Sequence, residues 1–232
     1  MPEVSLVVLA GGRSSRMGGE DKAVRPYRGR PMLEWALDAF AGLVDESVVV
    51  ARDAAQLEHI SSVLRKRRDL RFAVDDVTGF GPTAGLVAGF ATAGGALCFM
   101  AACDMPYIST VVAAHIISCC READAAVPRW ADGRMEPLFA CYRREPTLAA
   151  ARRAMAHGFR KVLVPLYELE RIAWVPVEDE LRPLDPGLRT FENVNTPDEW
   201  NGSSDSTGNL FDAAVWGTPP APSGGGHKGG CR

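Results

Sequence analysis

The sequence predicts an α/β fold of three layers, a mostly parallel sheet with helices on both faces, and three observations carry that prediction. Strand-like and helix-like stretches alternate over the first two hundred residues. Segments 4–10 and 97–102 are near-continuous apolar runs, the pattern of strands buried on both faces. Both runs end in chemistry, Gly11-Gly12 after the first and Asp104 after the second, and ligands of such sheets sit at the carboxyl ends of the strands.

The elements follow in order. After the strand at 4–10, residues 31–43 place Leu33, Ala36, Leu37, Phe40 and Leu43 on one helical face, with Pro31 suited to the first turn. A strand is expected at 47–51, a helix at 57–67 and a short strand at 71–74. A Gly-rich loop then leads to a helix of small residues at 84–93 and to the strand at 97–102. Beyond it the pattern predicts a helix at 110–122, extended chain at 125–127 up to Pro128, and a strand at 138–142. A helix at 146–157, a weaker one at 161–168 and a strand at 172–177 complete the domain, which spans 1–200. Residues 201–232 are rich in Gly, Pro and Ser and are expected to be a disordered tail.

Composition narrows the class. The 232 residues are 47% hydrophobic and 24% charged, ordinary for a globular chain with a sizeable core. A formal net charge of −3 argues against a nucleic-acid coating protein, and no apolar stretch is long enough to span a bilayer. The first residues carry no basic stretch followed by an apolar core, so the cytoplasm is the expected compartment. The cysteines at 98, 103, 119, 120, 141 and 231 form no Cys-x-x-Cys pair, and reduced thiols are the simplest expectation. Within 13–30, however, Arg13, Arg16, Lys22, Arg25, Arg28 and Arg30 face only Glu20 and Asp21. That local surplus suggests an anion site.

The segment Leu9-Ala10-Gly11-Gly12-Arg13-Ser14-Ser15-Arg16-Met17-Gly18-Gly19-Glu20-Asp21-Lys22 is the most informative. Glycines at a strand end let backbone N–H groups close on a ligand, and Arg13, Arg16 and Lys22 put fixed positive charge in the same loop. A triphosphate needs both. The spacing matches neither the P-loop nor the dinucleotide-binding fingerprint.

This segment is similar to the LAGGxSxRMGxxDK signature loop of nucleotidyltransferases. Asp75-Asp76, Gly81-Pro82-Thr83-Ala84-Gly85-Leu86, Cys103-Asp104-Met105-Pro106, Glu136-Pro137-Leu138, Gly158-Phe159-Arg160-Lys161 and Asn193-Val194-Asn195-Thr196-Pro197 follow in order. Across 4–200 the combination resembles the molybdenum cofactor guanylyltransferase (MobA) family. Two departures stand out: Thr83 replaces the central Leu of the family's GPLAGL loop, and Ala51 stands where a small polar residue usually follows the second strand.

The resemblance implies a Rossmann-like nucleotidyltransferase fold, Mg²⁺ as cofactor, and GTP and molybdenum-molybdopterin as substrates. Leu9, Ala10, Gly11, Gly12, Arg13, Lys22, Asp75, Asp76, Gly81, Pro82 and Asp104 are the nucleotide-binding candidates, with Arg16, Lys22 and Asp104 catalytic. Asp104 is read as a Mg²⁺ ligand, a role suited to a hard carboxylate at a strand end, against the plainer role of capping the next helix. Asn195 is the candidate for a second metal contact or for the acceptor phosphate. Asn193 shares its side of the extended chain, and both could equally serve the turn before Pro197. Asp75 or Asp76 would accept from guanine or cap its loop. Arg160 and Lys161 would hold the anionic pterin or remain surface charges. The run Arg65-Lys66-Arg67-Arg68 reads as a solvated helix end.

The expected reaction is GMP transfer from GTP to the terminal phosphate of molybdenum-molybdopterin, with pyrophosphate leaving. The implied partners are molybdenum-insertion proteins, molybdoenzymes or their chaperones, with no nucleic acid and no membrane. The rivals are a related nucleotidyltransferase with another base or acceptor (cytidylyl or sugar-phosphate) and a non-catalytic nucleotide-binding adaptor. Gly11 and the 81–86 loop favour guanylyl transfer, and the presence of Arg16, Lys22 and Asp104 counts against a decayed site.

Overall fold

Among the residues described by the computed structural model (3–11, 21–64, 70–75, 77 and 80–194), seven strands hydrogen-bond into one sheet. In chain order the elements begin with β1 (Val4–Leu9), a small hairpin of β2 (Pro26–Tyr27) and β3 (Arg30–Pro31), α1 (Met32–Ala39), β4 (Glu46–Ala51), α2 (Ala54–Val63) and β5 (Leu70–Val74). α3 (Pro82–Thr92), β6 (Leu97–Ala102), α4 (Thr110–Cys120), β7 (Ala125–Arg129) and β8 (Ala140–Arg143) follow. α5 (Arg144–Ala156), α6 (Leu163–Leu166) and β9 (Ile172–Pro176) come next, followed by short helical turns at Val177–Leu181 and Arg189–Phe191. The sheet order is β5-β4-β1-β6-β8-β7-β9.

Every pairing in the sheet is parallel except those of β8, which runs antiparallel to both β6 and β7. The expected strand at 138–142 therefore exists two residues later and points the other way. The connection from β7 to β8 is too short for a crossover helix, so only an antiparallel return fits.

The apolar runs do bury both faces. Leu6 and Val8 of β1 pack with α1, α2 and α4, while Val7 packs with α3, α5 and α6. β6 repeats the alternation, with Phe99 and Ala101 on the first face and Cys98 and Met100 on the second. Three layers follow from that period-two pattern.

α2 and α3 start earlier than periodicity alone indicates, for local reasons. Asp53 caps α2 by accepting from the Gln56 N–H at 2.7 Å, so the helix begins at Ala54 rather than 57. α3 begins at Pro82, whose missing N–H costs nothing in a first turn. The β2–β3 hairpin was not expected. Its two-residue turn is Arg28-Gly29, both at positive φ (50° and 81°), and an arginine in place of the usual Asn or Asp conceals the turn in sequence.

Cys98, Cys103, Cys120 and Cys141 are buried free thiols. No helix among the described residues is long and apolar enough to cross a membrane. The expected tail at 201–232 and the basic run at 65–68 lie outside the described residues.

Candidate active site

The chain leaves β1 toward β4 and β5 on one side, then returns to place β6 on the other. The switch point between β1 and β6 is where an open parallel sheet forms a ligand crevice. The two strand ends are level, Leu9 opposite Ala102, and the Cys103 N–H donates to the Leu9 carbonyl at 3.2 Å. Ala10-Gly11 and Cys103-Asp104 thus emerge side by side. Gly11 sits in a crowded position: a Cβ there would lie 3.0 Å from the Arg52 nitrogen.

Lys22 and Asp104 meet at this crevice. Lys22 Nζ donates to Asp104 Oδ2 at 3.3 Å, with the two side chains 17% and 21% exposed. A fixed cation and a hard carboxylate so placed can together hold a phosphate chain and a divalent ion. The neighbouring Cys103 thiol is pushed up by burial and by the carboxylates of Asp104 and Asp21, so it stays protonated and is no nucleophile.

The remaining candidates are spread along the same sheet edge. Gly81, at φ 55° and ψ −141°, caps α3 in a conformation that side chains resist, and Pro82 starts the helix whose N-terminus faces the edge. Asp75 follows β5, its N–H on the Ala51 carbonyl at 2.7 Å, and its Oδ1 accepts from the Val77 N–H at 3.3 Å to close a turn. Ala51 is buried as the last residue of β4. Arg160 and Lys161 are exposed. The Arg160 carbonyl accepts from Thr83 Oγ1 at 3.1 Å, so the residue that departs from the GPLAGL pattern ties 160–161 to the start of α3.

Asn193 is exposed beside Val194, whose N–H donates to the Asp104 carbonyl at 3.0 Å, docking that segment onto the metal-candidate loop. Gly12, Arg13, Arg16, Asp76 and Asn195 lie outside the described residues.

Two supports of the site were missed by sequence reasoning. The Tyr27 and Tyr107 hydroxyls share a hydrogen bond, and the Arg189 guanidinium lies 3.7 Å over the Tyr107 ring, fastening the hairpin to the loop after Asp104. Burial and the Tyr107 contact push Tyr27 up to about 12, so Tyr27 enters that bond as a neutral phenol. These residues come from segments 80 or more apart, which no linear motif reveals. The other support is Gln56, a buried amide on α2 that bonds to Ala10, Asp21 and Arg52.

A family model described as the MobA-like NTP transferase domain matches residues 6–171. The chain belongs to that family. A Methanosarcina mazei protein named a probable molybdenum cofactor guanylyltransferase is 35% identical over 197 residues, covering 84% of this chain and 87% of that protein. A Desulfosudis oleivorans protein named molybdenum cofactor guanylyltransferase is 34% identical over 200 residues, covering 86% and 93%.

Among solved structures, molybdopterin-guanine dinucleotide biosynthesis protein A of Archaeoglobus fulgidus superposes with a TM-score of 0.70 at 33% identity. It covers 86% of this chain and 96% of that one. The Thermus thermophilus 2-C-methyl-D-erythritol 4-phosphate cytidylyltransferase has the same fold, with TM-score 0.62, 20% identity and coverage of 87% and 97%. The α/β nucleotidyltransferase architecture expected from the MobA-like segments is therefore the observed one.

Proposed function

We propose that this chain is a molybdenum cofactor guanylyltransferase, transferring GMP from GTP to the terminal phosphate of molybdenum-molybdopterin with release of pyrophosphate. The meeting of Lys22 and Asp104 at the switch point carries the reading, because it brings a cation and a carboxylate from two distant segments of the family-matched region together at the carboxyl ends of β1 and β6. The names of the relatives above support guanylyl rather than cytidylyl transfer.

An oxygen of the acceptor phosphate forms a bond to the α-phosphorus of GTP. The bond from that phosphorus to the bridging oxygen breaks, and pyrophosphate leaves with the electron pair. The acceptor is already an anion, so the step requires no general base. The protein's share is alignment and charge compensation. Backbone N–H groups of 10–12 line the triphosphate, and Lys22, with Arg13 and Arg16, offsets its charge. Gly81, Pro82 and Asp75 or Asp76 face the nucleotide. Asn193, Asn195, Arg160 and Lys161 take the acceptor.

Asp104 and Asn195 would hold Mg²⁺. The donor set fits: Asp104 offers a hard, part-exposed carboxylate, and nearby Asp21 keeps a buried Oδ2 that has no hydrogen-bond partner among the described residues. When bound, the ion neutralises charge on the phosphates. The product would pass to molybdoenzymes, their chaperones or insertion proteins, in the cytoplasm where GTP is supplied.

Titration calorimetry of GTP, ATP and CTP with Mg²⁺ against wild type and Asp104→Ala tests the reading, followed by pyrophosphate release with molybdopterin. GTP preference, lost in the variant, is expected. CTP preference would move the chain to the cytidylyl branch, and GTP binding without pyrophosphate release would favour the adaptor.

A further inference from the structure

The signature loop leaves β1 at Ala10 and returns at Asp21, and one side chain from another element holds both stems. Gln56 lies in the first turn of α2 and is 3% exposed. Its Nε2 donates to the Ala10 carbonyl at 3.0 Å and to Asp21 Oδ1 at 2.9 Å. Its Oε1 accepts from the Arg52 N–H at 2.8 Å. Both protons of the amide are used, and the partners fix its orientation: two acceptors face nitrogen and a donor faces oxygen. Asp21 Oδ1 also accepts from the Ala23 N–H at 3.1 Å, so the carboxylate that Gln56 holds organises the turn carrying Lys22.

The sequence held a signal for this. Asp53-Ala54-Ala55-Gln56 has capping-box spacing, and in that motif the fourth residue reaches back to its own helix start. Here the amide reaches the Arg52 N–H, one residue before the cap, and spends its remaining donors on the loop stems. A glutamate would cap as well but has no donor for Ala10 or Asp21. The use of two donors and one acceptor explains why this position is an amide.

We propose that Gln56 is a positioning residue for the nucleotide. It clasps the two stems of the phosphate loop at a fixed separation and so sets where Gly11 and Lys22 meet the triphosphate of GTP. The inference rests on the nucleotide reading above and adds to it a residue outside the signature segment.

Two variants test it. Gln56→Met keeps length and removes all polar atoms. Gln56→Glu keeps shape and acceptors but turns a carboxylate toward the Ala10 carbonyl and Asp21. The expected order of GTP affinity is wild type, then Met, then Glu, with KM for GTP raised about 10- to 100-fold in the glutamate variant. The effect on kcat should be smaller. Amide hydrogen exchange at 9–22 should quicken in both variants, and exchange in β6 and α4 should not change.

A packing role alone gives a different order, with Glu close to wild type because it is isosteric. Wild-type GTP affinity and wild-type exchange at 9–22 in a folded Met variant would overturn the proposal, and that variant decides if the glutamate one does not fold. Should the wild type bind no GTP at all, the nucleotide reading fails by itself. The exchange measurement still decides whether Gln56 clasps the loop.

Discussion

The two sides of the switch point are built differently. On the side proposed for the nucleotide, β1, β4 and β5 pair only in parallel and Gln56 hydrogen-bonds to three segments at their ends. On the side proposed for the acceptor, β8 runs against its neighbours, and the candidate ligands Arg160, Lys161 and Asn193 are exposed and come from separated stretches of chain. The charge states differ too. Asp45 and Asp53 are held below the usual carboxylate range by backbone N–H donors. Glu46 is also lowered, since bonds from Ser5, Gly94 and Arg71 outweigh its burial. Across the switch point, burial pushes Glu136 up to about 7, although the Trp130 indole N–H donates to it at 2.8 Å.

The largest expected effect belongs to the nucleotide side. Lys22→Ala should lower kcat by about 10²- to 10³-fold, the usual cost of removing one preorganised partner of transition-state charge. Its pair with Asp104 is part-exposed, so the melting temperature should move little. Steady-state pyrophosphate release and a thermal melt check both halves of the statement. Unchanged turnover would remove Lys22 from the clamp and leave the two sides without a functional distinction.

The stability of the acceptor side should respond to pH through Glu136. Its folded-state pKa of about 7 lies above its ordinary value of 4.5. Below pH 4.5 both folded and unfolded forms are protonated and the group has no effect. As pH rises toward 7 the unfolded chain ionises first, so the fold loses stability, by roughly 3 kcal/mol at the upper limit. The lowered carboxylates Asp45, Glu46 and Asp53 act in the opposite sense, contributing stability above their unfolded values that is lost on acidification. Glu136→Gln keeps an acceptor for Trp130 and should raise the melting temperature at pH 8 more than at pH 5. Equal shifts at both values would mean that burial does not perturb this acid.

The same asymmetry explains what could be read from sequence. The segment 9–22 could be singled out because its glycines and cations are consecutive in sequence, and Gly81-Pro82 because a helix start has its own local rule. The placement of Asp104 was legible because a buried strand, β6, ends two residues before it. The antiparallel sense of β8 was not, because apolar alternation is the same in either direction and only the short β7–β8 connection decides. Gln56 escaped because its role depends on Ala10 and Asp21, 46 and 35 residues away. Tyr27, Tyr107 and Arg189 escaped for the same reason. Thr83 was visible as a departure, but its partner, the Arg160 carbonyl, was not.

That bond sets the most delicate test of the comparison. Truncating Arg160 and Lys161 together to alanine removes two exposed cations but leaves the Arg160 carbonyl on Thr83, so the start of α3 stays in place. Exposed charge contacts are each worth a fraction of a kcal/mol to about 1 kcal/mol. The KM for molybdopterin should therefore rise roughly threefold to tenfold while GTP affinity holds at the wild-type value. Thr83→Val, which cuts the carbonyl bond and spares both cations, should do the reverse and weaken GTP through α3. If the double alanine variant weakened GTP and molybdopterin alike, the 160–161 segment would belong to the nucleotide side.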